Sequence, residues 1–94
     1  MTLTHQQLDD LERFGSVFFS FRQIAIVMEL DPLLLKKILN DPTTPAYKRY
    51  HKGRLQSEFD IRLREVELAK SGSTQAQELI QRHIQKLELE HDDE

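Results

Sequence analysis

The chain has 94 residues, of which 38% are hydrophobic and 31% are charged, and this composition is typical of one small globular domain rather than of a disordered or membrane protein. It contains no cysteine, which excludes disulfides, thiolate metal sites and thiol catalysis. No apolar run approaches the roughly 20 residues of a spanning helix, and the N-terminus lacks a signal-peptide pattern, so we expect a cytoplasmic protein without a membrane partner.

The net charge of −3 is unevenly distributed along the chain. Residues 1–42 carry a net −2, residues 43–72 a net +3, and residues 73–94 a net −4. Within the basic middle, the stretch AYKRYHKGR holds four cations, no acid, two tyrosines and a histidine. A cluster of this composition can contact phosphates, and its alternative is the solvated face of a long helix. The four cations are Lys48, Arg49, Lys52 and Arg54.

Helix signals are frequent in the N-terminal part, and strand signals are nearly absent. A capping box at Thr4 predicts a first helix that starts near His5 and ends at Gly15. A second capping box at Ser20 predicts the start of a second helix. The intervening stretch SVFFS, residues 16–20, is rich in strand formers, but no second strand exists to pair with it. We therefore expect it to be a buried connection.

Three further helices follow. An Asp-Pro pair at Asp31 predicts a third helix that ends near Asn40, and a Thr-Pro pair at Thr44 predicts a long fourth helix that runs to about Lys70. A Ser-Gly-Ser turn then precedes a fifth helix that ends near Leu89. Because that turn is short, the last two helices should return antiparallel as a long αα-hairpin. The predicted fold class is all-α.

The second and third predicted helices fit a DNA-binding helix-turn-helix, and the alternative is a helical hairpin inside an ordinary bundle. Ala25 is the small residue that lets the two helices cross closely, and Glu29 stands at the turn position where glycine is usual. Apolar residues fall at the core spacings of such a motif: Ile24, Met28, Leu30, Leu35 and Ile38. Three side chains of the third helix suit phosphates or base edges: Lys36, Lys37 and Asn40.

The long fourth helix carries two apolar faces. At about 39 Å it is longer than a compact globule of this size can cover. One face holds Leu55, Phe59, Leu63, Val66 and Ala69, and the other holds Tyr50, Ile61 and Leu68. The fifth helix can cover one face, so the other needs the N-terminal bundle or another copy of the chain. The predicted oligomerisation residues are Tyr50, Ile61, Leu68, Leu79, Ile84 and Leu87.

No pattern for catalysis, a metal or a cofactor is found. The four histidines are scattered without HxxxH spacing, and the three glycines are too isolated for a phosphate-binding loop. Carboxylates lie beside basic residues, which is the pattern of helical ion pairs. We therefore expect a protein that is not an enzyme, with no catalytic residues, no metal ligands and no cofactor.

The order of these features resembles the small terminase subunits of tailed phages and related prophage DNA-packaging proteins. The resemblance covers roughly residues 17–87, and it rests most on Tyr50 and Gly53 before the charged helix and on the turn AKSGS with Ala76 beyond it. It implies a ring-forming, non-enzymatic DNA-recognition protein in the cytoplasm of a bacterial host. In such a ring the helix-turn-helix lies at the periphery, and a separate large subunit supplies ATPase and nuclease activity.

The sequence thus predicts three parts: a helix-turn-helix DNA-binding bundle in residues 1–42, a helical hairpin for oligomerisation in residues 43–89 and an acidic disordered tail in residues 90–94. The predicted function is recognition of viral double-stranded DNA by a homo-oligomer, which hands it to a large packaging subunit. Two alternatives stay open. One is a dimeric helix-turn-helix transcriptional regulator, and the other is a helical adaptor without nucleic-acid binding, in which Leu33 and Leu34 contact protein.

Overall fold

A computed structural model describes residues 2–92, and every regular element within them is an α-helix. The all-α prediction is therefore confirmed. The helices are α1 (His5–Ser16), α2 (Phe21–Met28), α3 (Pro32–Leu39), α4 (Pro45–Lys70) and α5 (Thr74–Asp92). None of them is long and apolar enough to cross a membrane.

The helix boundaries follow from local hydrogen bonds that the sequence encodes. The Thr4 hydroxyl accepts from the Gln7 amide at 3.1 Å, while the Gln7 side chain accepts from the Thr4 amide at 2.8 Å. Ser20 and Gln23 form the same reciprocal pair at the start of α2. Each pair satisfies amides that the first helical turn leaves without a partner. At the other end of the chain, α5 continues through residues 90–92 of the predicted tail, and residues 93 and 94 lie outside the described residues.

The chain forms two compact units, Met1–Glu58 and Phe59–Glu94, which we call unit 1 and unit 2. The division falls inside α4, whereas the sequence placed a boundary between residues 42 and 43. It falls there because the first part of α4 packs into the N-terminal bundle and buries Ala46 and Gly53. Unit 1 therefore contains both groups of predicted DNA-binding residues.

The core of unit 1 is built where α1, α2, α3 and the start of α4 meet. Its buried residues are Leu11, Ile24, Ala25, Leu35, Leu39 and Ala46. The connection between α1 and α2 is not buried as expected, because Val17 and Phe18 are exposed and Phe18 adopts a positive φ of 62°. Phe19 alone turns inward from this loop and stacks on Phe14, with ring centroids 5.3 Å apart.

Two glycines let α1 and α4 touch backbone to backbone in unit 1. A Cβ placed on Gly53 would overlap the carbonyl oxygen of Glu12, and one placed on Gly15 would overlap the carbonyl oxygen of Tyr50. Both glycines are buried, and the Ser57 hydroxyl donates to the Ser16 carbonyl at 2.6 Å beside them. The helix α1 ends at Ser16, one residue beyond Gly15. Gly53 in α4 makes this close crossing possible.

The turn between α2 and α3 depends on a residue in the left-handed conformation. Glu29 has φ 54° and ψ 47°, and the amides of Glu29 and Leu30 both donate to the Ala25 carbonyl, the latter at 3.0 Å. This is the position at which the sequence has glutamate where glycine is usual. A side chain with a Cβ is strained in this conformation, whereas glycine is not.

Replacing Glu29 with glycine should raise the free energy of unfolding by about 1 kcal/mol, because glycine adopts this conformation without steric cost. Urea denaturation followed by circular dichroism measures the change. The control is Glu29→Ala, which removes the carboxylate but keeps the Cβ and should bring no such gain. Equal effects of the two substitutions would show that the carboxylate, and not the backbone conformation, is responsible.

In unit 2, α5 runs back along the end of α4. The Gln77 side chain donates to the Ala69 carbonyl at 3.0 Å, and His83 Nε2 lies 3.2 Å from Glu65 Oε2. The contact that lies farther from the turn on α4 also lies farther from the turn on α5. The two helices are therefore antiparallel. The turn itself contains Gly72 at φ 105°, a left-handed conformation that glycine adopts without steric cost.

Unit 2 buries few apolar side chains of its own. Among residues 59–91, Ala76 alone is buried. The part of α4 that lies nearest α5 holds Glu65, Val66 and Ala69, all half-buried. The helix α5 thus covers part of the first apolar face, at Val66 and Ala69, and leaves Ile61 and Leu68 of the second face exposed. Large apolar side chains of both faces stay exposed: Phe59, Ile61, Leu63 and Leu68.

Candidate nucleic-acid interface

The predicted DNA-binding residues lie on two helices of unit 1. Lys36, Lys37 and Asn40 occupy the C-terminal end of α3 and the cap that follows it, and all three are exposed. Lys48 and Lys52 are exposed on α4, whereas Arg49 and Arg54 are half-buried there. The seven side chains therefore divide into an exposed group and a partly buried pair of arginines.

A groove of about 290 Å³ lies between the start of α2, the end of α3 and the first part of α4. It is lined by Ser20, Phe21, Lys36, Leu39, Asn40, Tyr50 and His51. The ammonium of Lys36 lies 5.5 Å from the centroid of the Phe21 ring, and the Arg22 guanidinium lies 5.6 Å from it. Both distances are within the range of cation–π attraction. Sequence reasoning missed Arg22, because only the crossing of α2 and α3 brings Lys36 to the ring that Arg22 also contacts.

The Arg49 guanidinium is held by two carboxylates of α1. It forms an ion pair with Asp9 and donates from Nε to Glu12 at 3.0 Å. The hydrogen bonds to Asp9 and then to Glu12 raise the pKa of Arg49 above its ordinary value. Lys52 Nζ lies 3.8 Å from the same Glu12 carboxylate, but most of its side chain is exposed. Arg49 therefore joins α1 to α4, while Lys52 remains accessible.

Arg54 contacts neighbours on its own helix. Its Nε donates to His51 Nδ1 at 3.3 Å, and its Nη1 lies 3.0 Å from Glu58 Oε1. The His51 ring also packs against Tyr47 and Tyr50, with ring centroids 4.3 and 5.1 Å apart. The aromatic residues interleaved with the cations thus pack on one another along α4.

Tyr50 has a different place from the one predicted at the oligomerisation surface. Its ring packs against the core of unit 1, and its hydroxyl donates to the Phe19 carbonyl at 2.5 Å. A half-buried side chain with a satisfied hydroxyl stabilises the bundle that contains it. Tyr50 is therefore a packing residue between α4 and the connection that precedes α2.

Acidic groups flank α3 at both ends and reduce its positive potential. Asp31 caps the N-terminus and accepts from the Leu33 amide at 2.9 Å. Hydrogen bonds from the Thr43 hydroxyl and amide lower the pKa of Asp41, and Lys37 lowers it further. Asp41 consequently stays ionised beside Lys37. This end of α3 offers weaker attraction to a phosphate than its two lysines alone would give.

Replacing Arg49 with alanine should lower the thermal midpoint of unfolding by a few degrees, because α4 loses its ion pairs with Asp9 and Glu12. In the Arg49→Ala background, a further Asp9→Ala substitution should have little added effect, as expected for one coupled network. The matched control is Lys48→Ala, an exposed cation one residue earlier, which should leave the midpoint unchanged. Thermal melts by circular dichroism measure all four proteins, and an equal shift for Arg49→Ala and Lys48→Ala would contradict the assignment.

No family model, no curated protein and no solved structure matches this chain. Within residues 2–92, no three histidine, aspartate or glutamate side chains are grouped so that they could hold a metal ion.

Proposed function

We propose that this protein is a non-enzymatic DNA-binding protein of the small terminase type. Several copies would assemble, recognise viral double-stranded DNA and pass it to a separate large packaging subunit. The observation that carries the proposal is the arrangement of α2 and α3. Ile24, Ala25 and Leu35 are buried between the two helices, the turn at Glu29 is left-handed, and the polar end of α3 faces outward.

The proposed contacts with DNA come from the exposed side chains of this unit. Lysine ammonium groups can neutralise phosphates, and the Asn40 amide suits either a phosphate or an adenine edge. Arg49 and Arg54 already contact carboxylates within unit 1, so we assign Arg49 to joining α1 to α4 and Arg54 to an ion pair within α4. The phosphate contacts then fall to four exposed lysines: Lys36, Lys37, Lys48 and Lys52.

One copy of the chain is poorly suited to bind DNA tightly. Its net charge is −3, and Asp31 and Asp41 flank the helix that would enter the groove. Linking several weak sites raises the overall affinity without any new contact, because each further contact becomes intramolecular. An assembly of copies therefore supplies what the four lysines of one copy lack.

A second candidate function rests on two leucines of α3. Leu33 is 77% exposed and Leu34 is 46% exposed, and they precede the lysines on the same short helix. Adjacent exposed leucines favour a protein contact over a contact with phosphates. This observation supports the helical adaptor as the alternative.

Fluorescence anisotropy with a labelled DNA duplex of about 30 base pairs tests the proposal, with the salt concentration varied from low to physiological. We expect binding whose affinity falls steeply as salt rises, from a protein whose mass in solution exceeds that of a dimer. Salt-dependent binding by a dimer would favour the transcriptional regulator. Absence of binding at low salt, by protein with a normal helical spectrum, would favour the adaptor.

A further inference from the structure

The hairpin of unit 2 leaves apolar side chains exposed on both of its sides. Between residues 59 and 84, six large apolar side chains of the hairpin are 38–64% exposed: Phe59, Ile61, Leu63, Leu68, Leu79 and Ile84. Two antiparallel helices make a layer only one helix thick, so neither side can cover the other. Such a layer needs a partner on each side to remove these side chains from water.

The helical period divides the six side chains between the two sides. On α4, Ile61 and Leu68 lie about 90–100° to one side of the strip that faces α5, and Phe59 and Leu63 lie about 70–110° to the other side. On α5, the strip that faces α4 includes Ala76 and His83. Each helix therefore contributes to both sides of the layer.

The antiparallel direction then assigns the two side chains of α5. Leu79 projects to the same side as Leu68 and lies level with it, and Ile84 projects to the same side as Leu63 and lies level with that residue. We define face A as Ile61, Leu68 and Leu79, and face B as Phe59, Leu63 and Ile84. The two faces have the same number of large apolar side chains and span nearly the same length of the hairpin.

We propose that face A of one copy packs on face B of the next copy, so that every hairpin in the assembly contacts two neighbours through unlike faces. This inference rests on the proposed function, because it describes how the assembly in that proposal is built. A second copy of the chain is the partner because the two faces match each other in length and in size. One type of contact then covers both faces of every copy.

An assembly built from contacts between like faces would require more than one kind of interface. An A–A contact would leave face B exposed in a dimer, and adding a B–B contact would require two separate self-complementary surfaces. A single head-to-tail contact repeated by rotation closes into a ring, whereas it forms an open filament if the rotation does not close. Contact between unlike faces is therefore the simpler arrangement, because one kind of interface covers both apolar faces of every hairpin.

Two charge-neutral variants test the pairing. In variant A, Leu68→Lys and Leu79→Glu place opposite charges level with each other on face A, and in variant B, Leu63→Lys and Ile84→Glu do the same on face B. All four positions are at least 38% exposed in a single chain, so the helical content by circular dichroism should not change. Native mass spectrometry then measures the wild-type protein, each variant alone and an equimolar mixture of the two.

We expect the wild type to form a species larger than a dimer, and each variant alone to be an 11.1 kDa monomer. The mixture should give a 1:1 heterodimer, because variant A keeps face B and variant B keeps face A. The heterodimer also shows that both variants are folded. Homodimers of each variant alone would establish like-face contacts and overturn the inference.

The remaining outcomes are also decisive. Variants that assemble like the wild type, or monomers that do not pair when mixed, overturn the pairing of faces but leave the proposed DNA-binding assembly standing. A wild-type protein that is monomeric at every concentration tested overturns both. The failure of this inference is therefore distinguishable from the failure of the proposed function.

Discussion

Replacing Gly53 with alanine should destabilise the protein by about 2 kcal/mol, although alanine is the better helix former by about 1 kcal/mol. The added Cβ would overlap the Glu12 carbonyl oxygen and lie 3.1 Å from the Ser16 amide nitrogen. These are backbone atoms, so no rotamer change can relieve the overlap. The helices α1 and α4 must separate, which loosens the packing around the fully buried Leu11.

Thermal unfolding followed by circular dichroism measures this effect, which should appear as a midpoint lowered by roughly 10 °C for a domain of this size. Gly15→Ala should act in the same direction, because its Cβ would overlap the Tyr50 carbonyl oxygen. The matched control is Gln56→Ala at an exposed position of the same helix, which should change the free energy of unfolding by less than about 0.5 kcal/mol. A Gly53→Ala protein more stable than the wild type would contradict the close crossing of α1 and α4.

Replacing the four exposed lysines of unit 1 with alanine should weaken DNA binding on the order of 100-fold at low salt. Each phosphate contact that is lost should also reduce the slope of log affinity against log salt by about 0.9. The residues are Lys36, Lys37, Lys48 and Lys52. Fluorescence anisotropy with the same duplex at several salt concentrations gives both quantities.

The charge-matched control for this experiment removes four exposed cations of unit 2: Arg64, Lys70, Arg82 and Lys86. Both variants lower the net charge equally, so a general electrostatic effect would weaken binding in both. We expect the control to retain its salt slope. Equal losses in the two variants would contradict a DNA site on unit 1.

Much of the fold follows from local signals in the sequence. Capping boxes at Thr4 and Ser20 and the Asp31 cap fix where helices start, because their side chains accept from amides within one turn of the chain. The proline after Asp31 has no amide that would need a partner. Gly72 at the last turn adopts the left-handed conformation that stops α4. Such signals act over three or four residues, which is why they can be interpreted without knowledge of the tertiary structure.

Contacts between residues far apart in the chain could not be predicted from the sequence. Gly15 and Gly53 are 38 positions apart, and nothing local marks either of them as a helix crossing. Arg49 has the composition of a phosphate ligand, but its position opposite Asp9 and Glu12 depends on that crossing. The division of the chain inside α4 has the same cause, since it depends on how far α1 reaches along α4.

The apolar pattern of α4 indicated two faces but not which of them α5 would cover. Periodicity gives the angle between Leu63 and Leu68, whereas the rotation of α4 relative to α5 is set by contacts such as Glu65 with His83. Because α5 covers only part of one face, eight large apolar side chains among the described residues of unit 2 remain exposed. About half of each side chain is exposed, so burying that half in an assembly would contribute about 1 kcal/mol per side chain.

The central claim is that several copies of this chain act together on DNA. Native mass spectrometry of the wild-type protein with a short DNA duplex tests it most directly. We predict a discrete species of more than two chains that carries one duplex, together with the same protein assembly free of DNA. A single 11.1 kDa chain as the largest species, with or without bound DNA, would contradict the account.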